Sequence, residues 1–355
     1  MKRTIASLIF AILILAGCAS PAQPLPTTKA TEIAFTSTAS ATFTPAPSST
    51  PAAPLPVMQV KQQPGWTTYT HLSPYDMVID ANGTLWAATQ FGAYRWNLQD
   101  GTYQRVSPDY LFYWGVTLAP DNTLWFTSIM GAGASHYDGV NWTRYTTRDG
   151  LPSNKVFDVA VSTDGVVWFT TDAGAARFDG TTWTTFTTGD GLATNNLAFA
   201  TITPDGKVWL GSTDTTPTAG LSVFDGQKWT TLTTEDGLLG PTTVPLYLEA
   251  DGSMWFGTID VGGAMHFDGT SWTSYTMLDG LAGEWVESVA VSPQGTVWFG
   301  SNGQGLASFD SQKWTTYPKL AANLPVDNIH ALAFTADGAL WVGAASQGLA
   351  RYQEP

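Results

Sequence analysis

The sequence predicts an all-β chain closed into a seven-bladed β-propeller, and three observations carry that prediction. A tryptophan recurs at Trp86, Trp125, Trp168, Trp209, Trp255, Trp298 and Trp341, 42.5 residues apart on average. Turns crowd the intervals: 13 of the 29 acidic residues are the Asp of an Asp-Gly pair. Charged residues make up only 12% of the 355, beside 35 Gly and 16 Trp, which favours strands and turns over helices. Paired-helix solenoids have similar periods, but segments rich in Thr, Trp and Asp-Gly are poor helix material.

The elements follow in chain order. Lys2 and Arg3 precede an apolar run over residues 5–15, too short to span a bilayer and suited to a secretory signal. It ends in Leu15-Ala16-Gly17-Cys18, which looks like a bacterial lipobox, so residues 1–17 read as a lipoprotein signal peptide and Cys18 as the lipidated residue. Cys18 is the chain's one cysteine, which excludes an intramolecular disulfide framework and a multi-Cys metal site. Residues 18–64 are dominated by Pro, Thr, Ser and Ala and cannot offset their ordering entropy, so they read as a disordered tether. The expected location is outside the cytoplasm, periplasmic or at the cell surface, held to a bacterial membrane by lipid alone.

Residues 65–355 hold the repeat. Its clearest copy runs through Val156, Trp168, Phe178 and Trp183, and implies four short strands per unit. A fourth-strand aromatic recurs at Trp66, Tyr103, Trp142, Trp183, Trp229, Trp272 and Trp314. The region begins with a fourth strand near Trp66 and ends with a third near Tyr352. One blade is therefore expected to be built from both ends of the chain, closing the ring and removing exposed sheet edges. Second strands such as Leu124-Trp125-Phe126 are apolar on both faces, as sheets sandwiched between neighbours require. Both aromatic columns are thus expected in the core.

Loop lengths separate the two faces of the ring. From the third-strand aromatic to the fourth the spacing is five residues in five blades, as from Tyr137 to Trp142. From the second-strand Trp to the third-strand aromatic it varies between 10 and 15 residues, the longest being Trp209 to Phe224. The irregular face, where loops are free to carry function, also receives the starts of the innermost strands. Aligned there are Tyr75, Trp114, Phe157, Ala198, Val244, Glu287 and His330. With Trp285, which like Trp114 lies outside the repeated columns, the aromatics among them suit stacking on a sugar, an aromatic compound or a peptide; the alternative is that they plug the channel. Glu287 and His330 fall on adjacent blades and are candidates for proton transfer, or else solvated channel residues. His136 and His266 share a third-strand surface position and His71 falls in a loop, so no metal site is expected from the four histidines, and no cofactor is expected. Asp80-Ala81-Asn82-Gly83 lacks the later Glu of a calcium loop. The net charge of −14, with only 15 scattered Lys and Arg, excludes nucleic acid as an expected partner.

The string Asp149-Gly150-Leu151-Pro152-Ser153-Asn154-Lys155-Val156, followed by Val167-Trp168-Phe169-Thr170 and Arg177-Phe178-Asp179-Gly180, resembles the two-component regulator propeller repeat. The resemblance covers residues 65–355 and implies a periplasmic ligand-binding sensor region. In that family a membrane segment and a kinase commonly follow; none follows here, so the expectation is a detached binding module with a signalling or envelope protein as its partner, the alternatives being a lyase or a scaffold in an envelope complex. Leu124-Trp125-Phe126-Thr127 is also similar to streptogramin lyase propellers, which implies lyase chemistry, although Ser128 and Thr171 stand where that family usually carries Glu.

Overall fold

The computed structural model describes residues 60–63, 65–69, 73–259, 262–317, 328–344 and 348–353. The expected signal segment, Cys18, the tether as far as residue 59, and His71 lie outside the described residues.

Among the described residues, twenty-nine strands form seven antiparallel sheets. Blade one contains β3 (Pro74–Ile79), β4 (Thr84–Thr89), β5 (Gly92–Asn97) and β6 (Tyr103–Arg105); blade two contains β7 (Gly115–Leu118), β8 (Leu124–Ser128), β9 (Gly133–Tyr137) and β10 (Trp142–Tyr145). Blade three has β11 (Val156–Val161), β12 (Val167–Thr171), β13 (Gly174–Phe178) and β14 (Trp183–Phe186); blade four has β15 (Leu197–Ile202), β16 (Val208–Ser212), β17 (Leu221–Phe224) and β18 (Trp229–Leu232). Blade five comprises β19 (Thr243–Leu248), β20 (Met254–Thr258), β21 (Ala264–Phe267) and β22 (Trp272–Tyr275); blade six comprises β23 (Val286–Val291), β24 (Val297–Ser301), β25 (Gly305–Phe309) and β26 (Trp314–Tyr317). Blade seven joins β27 (Ile329–Phe334), β28 (Leu340–Ala344) and β29 (Gly348–Tyr352) to β2 (Trp66–Tyr69), with Trp66 opposite Tyr352 and Tyr69 opposite Leu349. This is the expected closure.

The sheet does not end there. Strand β1 (Val60–Gln63) pairs with β2 as a fifth, outermost strand, upstream of the tether boundary expected at residue 64. Its sequence, Val-Lys-Gln-Gln, shows no apolar alternation. It is a strand by main-chain pairing to a sheet edge, a signal that composition does not carry.

The core is seven wedges between blades. In the second and third blades' wedge, for example, Trp125 and Ala134 pack with Val156, Val159 and Phe169. Second strands β8, β12, β16, β20, β24 and β28 are buried at every position. Within each, Trp faces the following blade and the next residue faces the preceding one, so Trp125 meets Phe169 edge-on at 5.4 Å and Trp255 meets Phe299 at 5.1 Å. The fourth-strand column corrects the expectation. Trp66 is buried, but Trp142, Trp183, Trp229, Trp272 and Trp314 are half-buried, because the outermost strand has one face and one edge toward solvent. Their rings lie on the third-strand aromatics instead, as Trp183 does on Phe178 at 4.5 Å.

The Asp-Gly-Leu strings are latches at blade-to-blade crossovers. Asp149 Oδ2 accepts from the Thr146 backbone N–H at 2.8 Å, Leu151 is buried in the wedge, and Gly150 adopts φ +137°. A Cβ on Gly150 would stand 2.4 Å from the Trp183 ring, so the close approach and the backbone angle both require glycine. The repeat's most recognisable string is therefore structural.

Candidate functional site

Each inner strand must bend where it enters the channel, and five do so through a one-residue bulge at a predicted position. Pairing slips between Pro74 and Asp76, Val156 and Asp158, Leu197 and Phe199, Val286 and Ser288, and Ile329 and Ala331. The skipped residues are Tyr75, Phe157, Ala198, Glu287 and His330. A bulge re-aims its extra side chain, which is how aligned sequence positions become a ring of groups around one axis. In blade two Trp114 takes the place just ahead of β7, its N–H bonded to Thr127 O at 2.8 Å. Blade five breaks the pattern: its bulge falls at Leu246, and Val244 is fully buried against Gly211 of blade four. Ala198 is buried too. Neither Val244 nor Ala198 lines the site.

Four of the predicted residues come together. The Tyr75 ring lies 5.3 Å from Trp114 and 5.9 Å from His330, and Trp114 is 6.0 Å from His330. His330 Nδ1 stands 2.6 Å from Glu287 Oε2, and both side chains are mostly shielded. Two residues the sequence did not single out complete the group. Phe112 packs on Tyr75 at 4.9 Å, and Asn302 donates from Nδ2 to Glu287 Oε1 at 3.0 Å. Phe157 and Trp285 are half-buried and make no ring contact with this cluster among the described residues. Trp285 is tied in through its carbonyl, which accepts from Asn302 N at 3.1 Å, while its indole Nε1 is buried with no acceptor among the described residues.

Two carboxylates follow the bulges. Asp76 Oδ2 accepts from Val116 N of the next blade at 2.9 Å and Oδ1 from Met77 N at 2.8 Å. Asp158 makes the same pair of bonds, to Ala200 N at 2.9 Å and Val159 N at 2.7 Å. Burial pushes Asp76 up to about 6, against the pull of those N–H groups and of His330. Burial also pushes Asp158 up to about 7, with the Asp76 charge adding to it. A carboxylate in the middle of a strand that otherwise reads as core was the available signal. The same residue type behaves oppositely in the hairpins of the other face. There, backbone N–H groups of Asn141 and Thr182 hold Asp138 and Asp179 at about 2.

The irregular loops gather above this cluster as expected. The longest, residues 213–220, is pinned by Asn196 Nδ2 to Thr213 Oγ1 at 3.1 Å and Thr194 Oγ1 to Asp214 Oδ2 at 2.9 Å. Among the described residues, exposed large apolar side chains concentrate on the same face: Phe91, Tyr110, Met130, Met277 and Leu278, against Val140 on the hairpin face. Two surface hollows, ≈ 380 Å³ beside Asn97 and Asp100 and ≈ 290 Å³ beside Trp125 and His136, open on the hairpin face instead. The larger of the two is walled by hairpin residues such as Asn82, Asn97 and Gln104, so the site is assigned by its chemistry and not by hollow size. Among the described residues no group of three or more His, Cys, Asp or Glu side chains is placed to hold a metal ion, and no helix is long and apolar enough to cross a membrane.

No family model and no curated protein matches this sequence. Solved structures do match the fold. The extracellular domain of a protein described as a hybrid two component system from B. thetaiotaomicron superposes with a TM-score of 0.69 at 17% identity, over 81% of this chain and 41% of that one. Virginiamycin B lyase from Staphylococcus aureus, as a catalytically inactive histidine-to-alanine variant with quinupristin, superposes with a TM-score of 0.64 at 14% identity, over 84% and 99%. PorZ, a bacterial surface component of the type-IX secretion system of Porphyromonas gingivalis, matches at 18% identity and a TM-score of 0.62, over 79% and 46%. Both resemblances expected from the repeat are thus met among solved propellers. The chain spans about two fifths of the length of the sensor domain it matches. At these identities the likeness shows the fold alone.

Proposed function

We propose that the protein is an extracytoplasmic propeller, lipid-anchored through Cys18, that binds a small molecule, glycan or peptide at the loop-face mouth of its channel. The observation that carries this reading is the convergence of Tyr75, Phe112 and Trp114 on the Glu287–His330 pair, which sets apolar ring faces beside an acid and a base in one shielded site. The extracellular setting of the sensor-type neighbours supports the location. A partner membrane protein would read the bound state. The test is a thermal-shift screen of glycans, peptides and small aromatics on residues 19–355, repeated with Trp114→Ala and Trp285→Ala. A ligand at 100 times its dissociation constant stabilises by about 2.7 kcal/mol. Hits that keep full affinity in both variants refute the site.

The 2.6 Å approach of Glu287 to His330 also favours a second reading, lyase chemistry with His330 as the proton-transferring base and Glu287 orienting it. Turnover lost in His330→Ala and Glu287→Gln, with binding retained, would establish it; binding without turnover of any hit leaves the sensor reading.

A further inference from the structure

Seven copies of one hairpin allow an internal comparison in which a side chain missing from one copy marks a space. In blade five the turn after β19 begins at Glu249, whose N–H bonds Ser253 O at 2.8 Å. Glu249 Oε1 accepts from Trp255 Nε1 at 2.7 Å and lies 3.5 Å from His266 Nε2. In blade two the equivalent turn begins at Ala119, whose N–H bonds Thr123 O at 2.9 Å. The surroundings are otherwise the same. Trp125 and His136 rings are 4.4 Å apart, Trp255 and His266 4.5 Å. Tyr145 and Phe169 stand at 5.4 Å from Trp125, where Tyr275 and Phe299 stand at 5.6 and 5.1 Å from Trp255.

With the carboxylate gone, blade two has a hollow of ≈ 290 Å³, lined among others by Ala119, Trp125, His136, Tyr145, Val161 and Phe178. Trp125 Nε1 has no acceptor among the described residues, and it is not sealed away as the indole nitrogens of Trp209 and Trp341 are. Blade one fills the same place with an acid as well, Asp80 accepting from Trp86 Nε1 at 2.9 Å. Blade two alone has neither an acid nor a hydroxyl there, since the remaining blades carry Ser162, Thr203, Ser292 and Thr335.

We propose that this hollow binds a small aliphatic carboxylate, which takes the place that Glu249 fills from within blade five. Its oxygens would accept from Trp125 Nε1 and from His136, and its alkyl group would lie on Val161 and Phe178. Asp121 at the rim does not forbid an anion, because Asp251 holds the same position in blade five, with the same turn bonds, beside Glu249. His136 faces Asp121 and Asp138, and burial holds its pKa below the ordinary value. A bound carboxylate raises it by favouring the charged ring.

The test follows the His136 ring resonances by NMR while sodium propionate is added at constant ionic strength, with propionamide as the uncharged control. Saturable shifts and a raised His136 pKa with propionate, absent with propionamide, are expected. Ala119→Glu should reproduce the ligand-bound His136 shift without ligand and weaken propionate binding by at least about tenfold, the equivalent of 1.4 kcal/mol. Glu249→Ala should create a second propionate response at His266. No saturable response in the wild-type protein, an equal response to propionamide, or an unchanged response in folded Ala119→Glu would overturn the proposal. Should Ala119→Glu fail to fold, Glu249→Ala decides: no response at His266 overturns it.

Discussion

The hairpin turns and the inner-strand bulges of this ring are built from the same residue types, yet they treat charge in opposite ways. On the hairpin face Asp138, Asp179 and their counterparts bend back onto backbone N–H groups one turn away, and their pKa values fall. On the loop face Asp76 and Asp158 reach across to the neighbouring blade from shielded positions, and theirs rise. The first arrangement is local, repeats in the third-to-fourth-strand turns of blades one to six and makes those turns. The second is long-range, occurs where inner strands bulge, and places Asp76, raised to about 6, next to Tyr75 in the chain and under the influence of the His330 charge. A repeat scaffold thus makes one face uniform and leaves the other free to vary.

The comparison presumes a scaffold shared by both faces, and the largest predicted effect tests that. Trp168 fills the wedge between blades three and four, so Trp168→Ala should cost about 3–5 kcal/mol in denaturant unfolding. Trp114→Ala should cost far less, because Trp114 is half-buried outside every wedge. Equal losses would mean that the channel residues are core.

The next effect separates the carboxylates. Asp76 has a higher pKa folded than unfolded, so the folded state binds more protons between about pH 4 and 7, and stability falls as pH rises through that window. At about 1.4 kcal/mol per unit, Asp76 alone contributes on the order of 3 kcal/mol to that fall. Asp158 acts in the same direction, with its window reaching about pH 7. Asp76→Asn and Asp158→Asn should flatten melting temperature against pH above pH 4. Hairpin carboxylates have lowered values, so their stabilisation is present above the unfolded pKa and is lost as pH falls through the folded one, toward about 2 for Asp138. Asp138→Asn should leave the curve above pH 4 unchanged, the smallest effect of the series. A flattened neutral limb in that variant would erase the distinction between the faces.

Much of this was legible in the sequence because it is periodic. Second-strand tryptophans, ring closure and the alignment of Tyr75, Phe157, Glu287 and His330 at the starts of the inner strands all follow from a repeat whose phase is set by turns; that these positions are bulges was not legible. What the repeat does not encode was missed. Phe112 and Asn302 reach the site through loop trajectories that differ from blade to blade. Val244 was misplaced because blade five moves its bulge to Leu246. Strand β1 forms through main-chain pairing at an edge, with no apolar pattern to announce it. The half-exposed outer tryptophans share a letter with the buried ones but sit on the last strand of each sheet.

The indole N–H spectrum of the ¹⁵N-labelled protein tests the loop-face site most directly, recorded against the panel of glycans, peptides and small aromatics. The account predicts that a binding compound moves the Trp114 or Trp285 cross-peak and leaves those of Trp168 and Trp209 in place. Compounds that bind while shifting only hairpin-face or wedge signals would contradict it.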